Sequence, residues 1–172
     1  GGSDGGGGGG VDLNGCTGLA CIVDHTCAGG AKTTLTGTVY APNGTLPLYN
    51  ATVFIPNGPL DEFTEGTVSC DRCDGTVSGN PIAIAQTGPD GTFTLTDVPH
   101  GTNIPLVIQL GRWRRITNID TVTACATESV ASAKTRLPKN ASEGHIPAMA
   151  IASGDADPFE CLLLKIGLDE DE

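Results

Sequence analysis

Between Leu35 and Ile119 short stretches in which apolar residues recur at every second position are separated by turn residues and one longer insertion, which commits the body of the chain to strands. Leu35, Gly37 and Val39 share one face of a first strand, with Thr34, Thr36, Thr38 and Tyr40 on the other. Pro42-Asn43-Gly44 makes the turn that follows, because proline presets φ and Asn-Gly accepts positive φ. A second strand is expected over Ala51–Ile55. Ile82–Gln86 and Thr92–Thr96 flank Gly88-Pro89-Asp90-Gly91, which predicts an antiparallel hairpin with Phe93 and Leu95 facing the core. Ile104–Leu110 and Arg112–Ile119 pair around Gly111, and Thr121–Cys125 is expected to close the sheet. The result is about seven short strands, the signature of an all-β sandwich.

A chain of 172 residues supports one main core with appendages. Residues 1–15 read as a glycine-rich linker or arm that buries too little apolar surface to order itself. Residues 16–32 form a Cys-rich segment in which Cys16, Cys21 and Cys27 supply covalent help. The sandwich occupies 33–125, with an insertion over 56–81 that carries Cys70-Asp71-Arg72-Cys73 and is too long for an ordinary hairpin loop. Residues 126–172 read as a wrap, with a short helix near Ser129–Lys134 and a clearer one over about 158–166. In the latter Asp157 caps, Pro158 takes the first position and Glu160 sits in the positive first turn. Phe159, Leu162, Leu163 and Ile166 form its apolar stripe, Lys165 lies in the last turn and Gly167 stops it.

Nine basic against twenty acidic residues give a formal net charge of −11, which argues against nucleic acid or an anionic membrane as partner. The ending Asp169-Glu170-Asp171-Glu172 reads as a solvated tail ahead of a cation site. No run approaches the roughly 20 apolar residues that span a bilayer, and no charged, apolar signal segment opens the chain. The Gly1-Gly2-Ser3-Asp4 opening is what commonly follows the lipid-modified cysteine of a bacterial lipoprotein, so a lipid anchor upstream of Gly1 is a candidate. Seven cysteines with little lysine favour an oxidising compartment, hence an extracellular or cell-surface location.

Four motifs inside the strand region also carry a resemblance. Thr36-Gly37-Thr38-Val39, Pro47-Leu48-Tyr49-Asn50-Ala51-Thr52-Val53, Thr87-Gly88-Pro89-Asp90-Gly91-Thr92-Phe93-Thr94-Leu95 and Val98-Pro99-His100-Gly101 resemble the recurring elements of the carboxypeptidase regulatory-like domain. The resemblance covers about half of the chain, departs from the family at the cysteine-bearing insertion, and implies a transthyretin-like, or Ig-like, seven-stranded sandwich. Trp113-Arg114-Arg115, the Leu137–Pro147 segment and the Asp157–Gly167 helix look like the N-terminal part of large, uncharacterised bacterial cell-surface proteins. Members of the sandwich family are generally folding, anchoring or adhesion modules, so the resemblance transfers no catalytic residue and no cofactor.

The cysteines are the first candidate site. Cys16, Cys21, Cys27, Cys70, Cys73, Cys125 and Cys161 read first as disulfide partners, in a connectivity that spacing leaves open. The other readings of Cys70-x2-Cys73 are half of a tetrathiolate zinc site, completed by Cys125 and Cys161 or by the N-terminal three, and a redox pair. An odd count leaves one thiol free, bonded to another chain, or paired outside this sequence. His25, His100 and His145 share no metal-ligand spacing, and no serine lies in Gly-x-Ser-x-Gly. Asp155, Asp157 and Glu160 lack the EF-hand pattern and read as capping. Asn43, Asn50 and Asn140 fit N-x-S/T.

Arg112, Trp113, Arg114 and Arg115 form the one cationic cluster, an aromatic and basic surface suited to an acidic partner, including the tail of another copy. The competing reading has Trp113 anchoring the core under arginine stems. The first functional expectation is a noncatalytic, disulfide-braced structural protein, an assembly or fibre subunit that associates with its own copies or another cell-surface protein. A ligand- or protein-binding accessory module released from a larger exported protein stands second. A metal protein or enzyme stands third.

Overall fold

In the strand Thr92–Thr96 the threonines at 92, 94 and 96 face solvent while Phe93 and Leu95 are 4% and 1% exposed, so the alternation in the sequence is the alternation of the sheet. This holds along the chain in a computed structural model that describes residues 15–63, 77–152, 154 and 160–170. The described strands are β1 (Thr34–Thr38), β2 (Thr52–Pro56), β3 (Pro81–Gln86), β4 (Thr92–Thr96), β5 (Gly101–Leu110), β6 (Trp113–Val122), β7 (Thr127–Ser129) and β8 (Gly144–His145). Two helices, α1 (Ser132–Thr135) and α2 (Glu160–Ile166), and two 3₁₀ turns, Gly18–Ile22 and Ala28–Gly30, complete them.

The strands form two sheets, ordered β4-β1-β7 and β3-β2-β5-β6-β8. One core joins them: Leu35, Phe93 and Leu95 from the first meet Val53, Ile55, Ile104, Leu106, Ile108 and Ile119 from the second. The all-β sandwich expectation therefore holds. Gly37 lets Phe93 lie flat across β1, since a Cβ at that position would sit 2.8 Å from the phenyl ring.

The outer face of the larger sheet is also apolar at its centre. Ile84, Phe54, Val107 and Ile116 are successive cross-strand partners. Phe54 and Val107 are fully buried, whereas Ile84 and Ile116 at the two ends are more than half exposed. The chain leaving β2 at Pro56 accounts for this, because the Asp61 carbonyl reaches Arg114 of β6 and the Phe63 ring reaches His145 of β8. To get there it crosses the outer face over β5. The expected 56–81 insertion is thus a strap at its stem, held closed where the Asn57 and Gly58 N–H groups donate to the Gly79 carbonyl. Cys70 and Cys73 lie outside the described residues.

Two expectations need correction. β3 and β4 do not form a hairpin: β3 pairs with β2, and β4 pairs with β1 in the other sheet. The turn at Gly88–Gly91 forms, with Gly91 N–H donating to the Gly88 carbonyl. The cause of the divergence is Thr87, which is 3% exposed and fastens the chain to the 48–51 corner. Its hydroxyl donates to the Leu48 carbonyl at 2.6 Å and accepts the Ala51 N–H at 2.9 Å, so the chain changes sheets there. Likewise Thr121–Cys125 is not a closing strand. β6 runs through Val122, Cys125 turns in the left-handed region (φ 59°) with its N–H on the Thr33 hydroxyl, and the closing strand is β7, parallel to β1.

The wrap after residue 125 belongs to the same core through Val130 and Leu137. α1 overlaps the stretch expected to be helical, Ser129–Lys134, and ends one residue beyond it. At the C-terminus, Gly167 (φ 98°) and Leu168 donate to the carbonyls of Leu164 and Leu163, the bonding pattern of a Schellman stop. The last helical carbonyls are taken by the 41–46 turn: Asn43 N–H donates to Ile166 and the Asn43 amide to Lys165. A Cβ at Gly167 would lie 2.2 Å from the Asn43 nitrogen, so only glycine permits this docking. The apolar stripe is less buried than its spacing predicts, with Leu162 53% exposed. Asp157, Pro158 and Phe159 lie outside the described residues.

The Thr87 knot yields a test. Replacing Thr87 with Val strips a partly buried carbonyl and a buried N–H of their partner, at about 1–3 kcal/mol for the buried N–H left unpaired. Chemical denaturation should show that loss in T87V, while T87S recovers most of it.

Candidate functional site

The pairing of β6 decides what its basic residues can do. Arg115 lies opposite Ile108 and Trp113 opposite Leu110, so both point to the core side, while Arg114, opposite Gln109, points outward. Trp113 packs against the core, and its indole Nε1 is buried without a hydrogen-bond partner among the described residues. The Arg115 guanidinium donates to the Ala133 and Arg136 carbonyls at 3.0 and 3.2 Å. Burial lowers its pKa, with the nearby Arg136 charge adding to the effect. The four residues of the candidate surface therefore divide between two faces, and Arg112 and Arg114 make the outer one.

On that face the strap completes a cluster that β6 alone does not contain. The Arg114 guanidinium lies 4.3 Å from the Phe63 ring centre, and that of Arg112 lies 5.5 Å from it. The His145 ring packs on the same phenyl at 4.4 Å between centres. Arg114 also donates to the Asp61 carbonyl at 2.9 Å, and His145 Nδ1 lies 2.6 Å from the Arg112 carbonyl. Because a carbonyl only accepts, Nδ1 is the donor in this contact. Burial lowers the Arg114 pKa, while the carboxylates of Asp61 and Glu62 act in the opposite direction.

His145 is delivered to this cluster by a brace between α1 and β8. Arg136 and Glu143 make a bidentate pair at 2.6 and 2.5 Å, and the Lys139 N–H donates to the same carboxylate. α1 is fixed below it by the Thr135 hydroxyl on the Thr38 carbonyl, and by Lys134 on the Asn118 carbonyl and the Asp120 carboxylate. The hydrogen bonds from Arg136 hold the Glu143 carboxyl down to about 2, against a burial effect in the other direction. No local motif announces Phe63, His145 or Glu143, because strand register and a strap distant in sequence bring them together.

The second polar concentration lies past the other end of β6. Cys16–Cys21 closes a short loop, and Cys27–Cys125 ties the N-terminal segment to the turn after β6 across a sequence separation of 98. The longer loop carries the larger chain-entropy effect, about 4–5 against about 2 kcal/mol. Asp24 stands beside the second bond, with a carboxylate oxygen 3.6 Å from Cys125 Sγ. Hydrogen bonds from the Thr26 hydroxyl and N–H lower its pKa. His100 is held close by, its N–H on the Ile22 carbonyl and its Nδ1 buried without a hydrogen-bond partner among the described residues. Cys161 is a free, exposed thiol on α2.

Other sequence candidates are used structurally. The Asn43 and Asn140 side chains are committed to the C-terminal dock, with the Asn140 amide donating to Asp169 at 2.6 Å. Asn50 takes a positive φ of 59° at the corner before β2. Asp155 and most of the glycine arm lie outside the described residues. An open apolar groove of about 320 Å³ lies between Met149, Ile151, Leu163, Leu164 and Leu168. Among the described residues no helix is long and apolar enough to cross a membrane. Compared with family models, curated proteins and solved structures, the chain matches none.

The brace predicts a pH dependence. Because the folded-state pKa of Glu143 is depressed from 4.5 to about 2, its stabilisation is present in full above the unfolded value and is lost as pH falls through that interval. Thermal unfolding from neutral pH to pH about 2 should show E143Q less stable than the parent at the upper end, with the two curves converging at the lower.

Proposed function

We propose that this chain is a noncatalytic, disulfide-braced structural protein of the cell exterior, an assembly or fibre subunit built on a transthyretin-like sandwich of the carboxypeptidase regulatory-like type. The two disulfides and the all-β sandwich support the coarser part of this reading. The observation that carries the finer part is the outer pair of Arg112 and Arg114 over Phe63, beside the His145 ring. It concentrates cationic side chains on one margin of a chain whose net charge is −11 and whose last four residues are acidic. A guanidinium has five N–H donors, and the Asp61 carbonyl takes one from Arg114, so a carboxylate-rich segment of another copy finds donors in a geometry that suits it. β8 adds a two-residue edge strand beside this cluster, where an extended segment can pair.

The accessory-module reading rests on a different place, the groove beside α2, where Met149, Ile151 and Leu164 remain 43%, 41% and 47% exposed. Lipid attachment upstream of Gly1 is compatible with either reading.

Sedimentation of native material separates them. Self-association that weakens with added salt, in R114E and on removal of Asp169–Glu172 supports the assembly reading. A strict monomer at every concentration and salt level removes it.

A further inference from the structure

The corner at the far end of β6 gathers donor atoms of three chemical kinds. Val23 bridges to Pro99 and the His100 N–H donates to the Ile22 carbonyl, which sets the segment carrying Asp24 and Cys27 against the turn after β4. Cys125 is held from the other side, in the left-handed region, by its N–H bond to the Thr33 hydroxyl. Asp24 then brackets the cystine: its carbonyl lies 3.7 Å from Cys27 Sγ and its Oδ2 3.6 Å from Cys125 Sγ. Disulfide sulfurs carry no hydrogen, so these are contacts and not hydrogen bonds. Asp24 is oriented independently of them, since the Thr26 N–H and hydroxyl both hold its Oδ1 at 2.7 Å.

The two sulfurs and the Asp24 carboxylate oxygen lie within 4.8 Å of one another. We propose that reduction of the Cys27–Cys125 disulfide turns this corner into a thiolate–carboxylate site for a borderline-soft divalent ion of the zinc class. A dithiol or phosphine reductant supplies two electrons and is itself oxidised, and the cystine takes up two protons to become two thiols. The ion then replaces both thiol protons, which pass to solvent. Two thiolates and a carboxylate confined together repel one another, and a divalent cation is the species that relieves this.

One edge of the site suits that ion once reduction has let the two sulfurs separate. Zinc takes thiolate at about 2.3 Å and carboxylate at about 2.0–2.2 Å, so a tetrahedral sulfur-to-oxygen edge is roughly 3.6 Å. The Asp24 Oδ2 to Cys125 Sγ separation, 3.6 Å, already has that length. The fourth position is left to solvent. None of this depends on the assembly reading, because no residue of the cationic margin takes part.

Cobalt(II) titration tests it on the full chain, reduced with a phosphine and desalted without oxygen. Sulfur-to-cobalt charge-transfer absorption at one ion per chain is expected after reduction and not before. It should be retained when Cys16, Cys21, Cys70, Cys73 and Cys161 are replaced with Ser, and lost in C27S/C125S. D24N keeps both sulfurs and should weaken binding by roughly tenfold or more. The proposal is overturned if the reduced chain shows no such absorption, if C27S/C125S binds as the parent does, or if D24N leaves the affinity unchanged. Should the five-serine variant fail to fold, the comparison of parent, D24N and C27S/C125S still decides between these outcomes.

Discussion

The register between β5 and β6 is the constraint on which the other features rest. It runs unbroken in pairing sense from Gly101↔Val122 to Leu110↔Trp113 and sets Ile104, Leu106, Ile108 and Ile119 toward the core. A slip by one residue would exchange the two faces. Each of those side chains gains on the order of 1.5–3 kcal/mol from burial, more than the net of about 1 kcal/mol from a typical ladder hydrogen bond, so packing and not the ladder selects the register. The same choice sends Trp113 and Arg115 inward and Arg114 outward. The cationic margin is therefore a by-product of core packing, and it survives only while the core is packed in this register.

That dependence explains what could be read from the sequence and what could not. The strands around Leu35, Val53, Phe93 and Ile108 were legible because period-two burial is a local property of each segment. The Gly88–Gly91 turn was legible too, but its neighbours were not, because a turn motif reports local φ and not which sheet a strand joins. Thr87 settles that through bonds to Leu48 and Ala51, far away in sequence and invisible to pattern. The same holds for Phe63 and His145, which meet through a strap and an edge strand. Cystine pairing is likewise nonlocal: nothing in the spacing of Cys27 and Cys125 points to their partnership.

The appendages follow the same division. The C-terminal helix was foreseen from its stripe and stop, yet its dock depends on Asn43 meeting the Ile166 and Lys165 carbonyls and on the absence of a side chain at Gly167. α2 has seven residues, too few to be stable alone, so its order is borrowed from the turn it caps. The N-terminal segment borrows its order from Cys125 in the same sense. Neither appendage has a core of its own; each is ordered by contacts with the sandwich, the N-terminal one also through Val23 against Pro99 and the Ile22 carbonyl on the His100 N–H.

The two polar concentrations lie at opposite ends of β6. Ten residues of strand at about 3.3 Å each put the Arg112–Arg115 end roughly 30 Å from the turn holding Cys125. What lies between is core, with Ile119 of β6 and Ile104, Leu106 and Ile108 of β5 buried, and a packed core does not deform continuously. Opening the Cys27–Cys125 bond therefore acts on what is attached there: the N-terminal segment, the Thr33 contact and the start of β7. The cationic margin is braced separately, by Arg136 with Glu143 and by the strap, so a change of redox state or bound metal at one end need not alter the charge presented at the other. That separation leaves the two ends free to change independently of one another.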